Sequence, residues 1–123
     1  MAYLHDDVLD NGLSVLDTLA DRLYICSQQP ANYTEASSTY ALGNKDGITV
    51  SAPQDGDASG RKVAVTAISD GSVTGTGTAT HWAMVDVSDI KLLASYSLSS
   101  SQGVTSGNTF TLTTFDIEIP DPA

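Results

Sequence analysis

Residues 71–119, GSVTGTGTATHWAMVDVSDIKLLASYSLSSSQGVTSGNTFTLTTFDIEI, decide the fold class. Apolar residues recur there at every second position, in short segments punctuated by Gly and Ser, which is the period of a strand with one buried face. In residues 81–87, Trp82, Met84 and Asp86 fall on one face and His81, Ala83, Val85 and Val87 on the other. Ile90, Leu92, Ala94, Tyr96 and Leu98 share one face of the next segment, and Val87-Ser88-Asp89 is short enough to join the two as a hairpin. Residues 99–107 read as a polar, glycine-containing excursion. Phe110 and Leu112 then alternate with threonines, and Phe115, Ile117 and Ile119 with Asp116 and Glu118, before Pro120 stops the last strand. Trp82, Leu92, Phe110 and Ile117 are the predicted core of this half.

Working back from Gly71, residues 72–80 are mostly Thr and Gly in alternation and read as an extended strand whose glycines let another backbone approach. Residues 61–70 form a further strand with Val63, Val65 and Ala67 on its apolar side, ended by Asp70-Gly71. Residues 53–60 are dense in turn formers. Residues 39–42 and 48–51 read as strands joined by the turn Gly43-Asn44-Lys45-Asp46-Gly47, residues 31–38 as a loop, and Leu23-Tyr24-Ile25-Cys26 as a strand. Residues 6–22 are the one helix. Leu9, Leu13, Leu16, Ala20 and Leu23 make a single stripe, widened by Val8, Val15 and Leu19, with Leu13 and Leu16 its predicted core residues. Asp6, Asp7 and Asp10 complement the positive end of that helix, and Gly12 marks either close packing or an irregular first turn. The expected architecture is mainly β, an antiparallel β-sandwich-like domain with one N-terminal α-helix. It forms a single domain over residues 1–123, with a leader and helix over 1–22, the β domain over 23–119 and a tail over 120–123.

Composition excludes several functions. With 15 acidic and 5 basic residues the formal net charge is −10, so the clustered Lys and Arg needed to neutralise phosphates are missing, and nucleic acid and anionic membrane are not expected partners. No apolar run approaches the ~20 residues of a membrane helix, and the first residues lack the basic and apolar regions of a signal peptide. The single cysteine, Cys26, lies in an apolar segment and is expected to be buried and inert.

No catalytic constellation assembles from the residues. A Ser or Cys nucleophile needs a base held in place by a third group, and the two histidines are His5 in the leader and His81 in a strand, where Asp86 or Asp89 is within sequence reach. Asp55, Asp57 and Ser59 alternate as calcium-loop ligands do, with Gly60 in the sixth place, but Thr66 stands where a bidentate Glu should close the loop. A solvated turn is the expectation there, with no metal, cofactor or enzymatic activity.

Taken in order, the words YICSQQP (24–30), TYALG (39–43), GTATHWAMVD (77–86), LLA (92–94), VTSGNTFTL (104–112) and FDIEIPD (115–121) resemble a family of small structural proteins of tailed bacteriophages, described as head-decoration, head-fibre or minor tail proteins. The resemblance implies a virion component made in a bacterial cytoplasm. It points first to a capsid decoration, or cement, protein bound to the major capsid protein or another virion protein. Self-association as a homo-oligomer such as a trimer is expected from the closed point symmetry common to identical subunits. A tail, neck or fibre-attachment component is the alternative within the particle, and a carbohydrate-binding or hydrolytic module the alternative from another class. Contacts are expected from the leader, with Tyr3, His5, Asp6 and Asp7, from the acidic helix face, and from the loops around Tyr33 and around Asp55 and Asp57.

Overall fold

The computed structural model describes residues 3–4, 11–57 and 60–119, with residues 3 and 4 as backbone. His5, Asp6, Asp7, Ser59, the side chain of Tyr3, residues 6–10 of the expected helix and the 120–123 tail lie outside the described residues. The fold is mainly β and every strand pairing is antiparallel. In chain order the strands are β1 (Tyr3–Leu4), β2 (Arg22–Cys26), β3 (Ala41–Asp46), β4 (Gln54–Asp55), β5 (Arg61–Val65), β6 (Ile68–Val73), β7 (Gly77–Asp86), β8 (Lys91–Val104), β9 (Thr109–Leu112) and β10 (Phe115–Ile119). A seven-stranded sheet runs β1-β8-β7-β2-β3-β6-β9, and a three-stranded sheet runs β10-β5-β4. The large sheet curls towards a half-barrel, and the Gln102 side chain donates from β8 to the Thr111 carbonyl of β9 at 2.8 Å.

Burial on both faces of the central strands organises the packing. Leu23 and Ile25 of β2, Trp82 and Met84 of β7 and Leu93 and Ala94 of β8 pack with Val63 and Val65 of β5 and Ile117 of β10 in one cluster. Each fully buried Leu or Ile contributes about 1.5–3 kcal/mol. On the other face Tyr24, Cys26, Ala83, Val85 and Leu92 form a second cluster with Ala36, against which Tyr33 and Tyr40 pack. The sequence-predicted core residues Leu13, Leu16, Trp82, Leu92, Phe110 and Ile117 are all buried.

Several expected elements are redrawn. Among the described residues the helix α1 spans Ser14–Leu19, and Asn11 before Gly12 is helical as well. Gly12 adopts φ 79°, which breaks the helical path before it, Arg22 already belongs to β2, and Leu19 is exposed instead of widening the stripe. The expected loop over 31–38 holds most of a π-helical turn, Glu35–Thr39, which also takes the first residue of the strand expected over 39–42. Gly43 is not in a turn but inside β3, where an added Cβ would lie 2.5 Å from the Ser72 carbonyl oxygen of β6. The turn comes at Gly47, with φ 66°.

The strand expected over 61–70 is two strands in different sheets. Val65 pairs with Phe115 and Ile68 with Leu112, so the chain turns a corner at Thr66 and Ala67, and Ala67 is exposed. β6 continues through Gly71 to Val73, and the strand expected over 72–80 is broken at 74–76. Met84 pairs with Ala94 while Val85 pairs with Leu92, leaving Leu93 as a bulge. Leu92 is thereby turned to the Tyr24 face and does not share the face of Ala94. The polar segment from Ser99 stays in β8 as far as Val104, absorbed by an irregularity opposite Ala79 to His81.

Candidate functional site

The expected contact residues Asp55 and Asp57 sit on and beside β4, and the register of β5 with β10 surrounds them with charge. Val63 pairs with Ile117 and both are buried, which turns Lys62, Asp116 and Glu118 to the outer face. Lys62 Nζ lies 2.6 Å from Asp57 Oδ1 and 3.1 Å from Asp116 Oδ2, and Glu118 Oε1 accepts from the Asp57 backbone amide at 3.1 Å. The Lys62 hydrogen bond holds the Asp57 carboxyl below its ordinary range, and the two carboxylates together push the Lys62 ammonium up. Arg61 reaches Asp55 Oδ1 at 2.6 Å and the Pro53 carbonyl at 3.1 Å.

Asp57, Asp116 and Glu118 bring carboxylate oxygens within 4.8 Å of one another. Hard oxygen donors of this kind suit calcium or magnesium, but Asp57 and Asp116 are gathered by the ammonium of Lys62, and Glu118 by the Asp57 amide. Asp55 and Asp57 also diverge towards different cations, Arg61 and Lys62. Gly60, with φ 70°, makes the bend, and the Gly56 amide donates to the Gly60 carbonyl at 2.9 Å. The arrangement is an exposed, mixed-charge face of paired acids and bases on the outer side of β5 and β10.

A second cluster lies by the π-helical turn. Arg22 Nη1 donates to the Tyr24 hydroxyl at 3.0 Å, Nε pairs with Asp46, and the guanidinium stands 5.8 Å from the Tyr24 ring centre. The Tyr24 hydrogen bond, then that of Asp46, raises the Arg22 pKa. Tyr33 is half-buried against the same cluster, and burial pushes its hydroxyl up. Cys26 lies beneath the turn with Sγ 3.6 Å from the Ala36 carbonyl, and burial pushes the thiol up to about 12. Such a thiol carries almost no thiolate at neutral pH. Native protein is therefore expected to resist an aromatic disulfide reagent and to release its full thiol equivalent only in denaturant; rapid labelling of the native protein would contradict this burial.

His81 does not meet Asp86 or Asp89. Its Nδ1 is 2.8 Å from Thr80 Oγ1, which itself donates to the Ser27 carbonyl at 2.9 Å. The hydroxyl proton is thus committed, so Nδ1–H donates to Thr80. Burial lowers the His81 pKa. Asp86 instead accepts from the Asp89 amide in the hairpin turn at 3.3 Å. A recess of about 430 Å³ beside α1 is lined by Leu13, Pro53, Arg61 and Ile119 among others, and none of the described lining residues forms a nucleophile and base pair.

Asp116, Glu118 and the Arg22–Tyr24–Asp46 group were not singled out by the sequence. The alternation of Asp116 and Glu118 with apolar residues marks an outer strand face, but their neighbour Lys62 is fixed only by register. Among the described residues no helix is long and apolar enough to cross a membrane. Comparison with protein-family models, curated proteins and solved structures gives no match.

Proposed function

We propose that this chain is a structural protein of a tailed-bacteriophage virion, a capsid decoration or cement protein that binds the assembled head in many copies. The observation that carries the reading is the ordered set of family-like words. Most of their residues fall on β2, β3, β7, β8 and β9 of the large sheet and on β10 of the small one, so the resemblance lies largely in strand residues. In this reading the three-stranded sheet closes over the large one as a sandwich-like layer, and the protein performs no catalysis. Its partner is the major capsid protein or another virion protein, and copies associate with one another, a trimer being one closed arrangement.

The physical role follows from mass action. A small domain that grips neighbouring capsid subunits binds the assembled state alone and therefore raises the free energy needed to take it apart. The mixed-charge face around Asp55 and Asp57 and the turn bearing Tyr33 are the surfaces offered for that grip. Quantifying the proteins of purified particles is expected to give this chain in numbers comparable to the major capsid protein, and labelled protein is expected over the head in electron micrographs. A handful of copies per particle, or label on the tail, would move the protein to the tail, neck or fibre attachment.

A further inference from the structure

The β7–β8 hairpin ends in a turn that carries a residue ill suited to it. The ladder closes with Asp86 opposite Lys91, leaving residues 87–90 as the connection. Its base is fixed, because the Val87 amide donates to Asp21 Oδ1 at 3.0 Å and the Asp89 amide to the buried Asp86 carboxylate. At the end of the turn Ile90 has φ 57°, the one positive value outside glycine among the described residues. That conformation belongs in hairpin turns to Gly, Asn or Asp, and a β-branched side chain adopts it against steric strain. Ile90 is also 66% exposed, more than Leu19, Tyr96 or Ile119, the other large apolar residues at the described surface.

Strain and exposure both disfavour isoleucine in the isolated protein. From this conjunction we propose that Ile90 is an anchor residue, an apolar knob that enters a socket on a neighbouring virion subunit. The proposal rests on the virion reading above. Its surroundings state the chemistry of the socket. Asp21, which holds the Val87 amide, and Asp89 are exposed at the same turn and Lys91 follows it, so a matching surface is an apolar pocket with a basic rim. A second copy of this chain is a poor source of such a rim. Of its five basic residues, Arg22, Lys45, Arg61 and Lys62 are each paired with aspartate, and Lys91 belongs to the knob itself. The complementary subunit is therefore a different protein of the particle.

Ile90→Asn separates the two properties, since asparagine tolerates the left-handed conformation and removes the apolar side chain. The free variant is expected to melt a few degrees above the wild type, about 2–6 °C, and to co-sediment with particles stripped of the protein at least about tenfold more weakly, a truncation effect of the size seen at interface anchors. Ile90→Leu, which keeps an apolar knob, is expected to retain most of the binding. The proposal is overturned if Ile90→Asn binds as the wild type does, if it melts lower, or if it changes self-association while particle binding is unaltered. Failure of the wild type itself to bind stripped particles would instead remove the decoration reading, and the anchor with it.

Discussion

Trp82→Asp protein is expected to be unfolded at room temperature. Trp82 is 7% exposed, lies between Ile25 and Tyr96 on the neighbouring strands, and holds its ring 4.6 Å from that of Phe115 at an interplanar angle of 33°. It is therefore the contact at which the two sheets meet through aromatic rings. Truncating a buried Trp removes about 3–5 kcal/mol, and a carboxylate left there without a cation loses several more in desolvation. Against a total of roughly 5–15 kcal/mol for a domain, that sum exceeds or nearly exhausts the stability. Far-ultraviolet circular dichroism of the variant should lack the strand signal and show no cooperative melt. A soluble variant that melts at the wild-type temperature would remove Trp82 from the core.

Gly71→Val is expected to lower stability by about 3 kcal/mol, at the upper end of what overpacking costs. Gly71 pairs with Phe110 across β6 and β9, and the ring lies over the glycine so closely that an added Cβ would overlap it, with Cδ1 only 2.6 Å away. Intrinsic preference argues the other way, because valine is the better strand former. The sign of the change in the denaturation midpoint therefore decides which effect wins. In a Phe110→Ala background the ring is gone, and the same Gly71→Val exchange should become neutral or stabilising. Equal losses in both backgrounds would show that the ring is not the obstacle.

The strands legible in advance are those whose two faces differ or whose residues are apolar throughout. Leu23 to Cys26 and Trp82 to Val85 fall in β2 and β7 as the alternation requires, and Phe110 and Ile117 face inward from β9 and β10. What alternation cannot carry is a change of phase or of sheet. The Leu93 bulge reverses the facing of Leu92 without any Gly or Pro to announce it. The corner at Thr66 and Ala67 interrupts a pattern that continues in the sequence but not in space. Gly43 resembled a turn glycine because its use, close passage of the Ser72 backbone, depends on a strand far along the chain.

The same limit governs the candidate site. Asp55 and Asp57 were visible as a pair of acids in a turn, but their meaning depends on Arg61 and Lys62 and on Asp116, which lies 54 residues beyond Lys62. His81 was visible as a lone ring on a strand, and its partner is the adjacent Thr80. The period of Leu92 and Ala94 places Ile90 on a strand face; its positive φ is a property of the turn and leaves no mark on that period.

The placement of β2 has a consequence for how the protein comes into being. β2 precedes most of the other described strands, yet it is paired with β7 as well as β3, and β10, whose Phe115 meets Trp82, follows them all. Leu23 and Ile25 therefore wait in an unsheltered chain until distant segments are synthesised. Pairings this remote in sequence place folding in the millisecond-to-second range, with the apolar strands open to aggregation meanwhile.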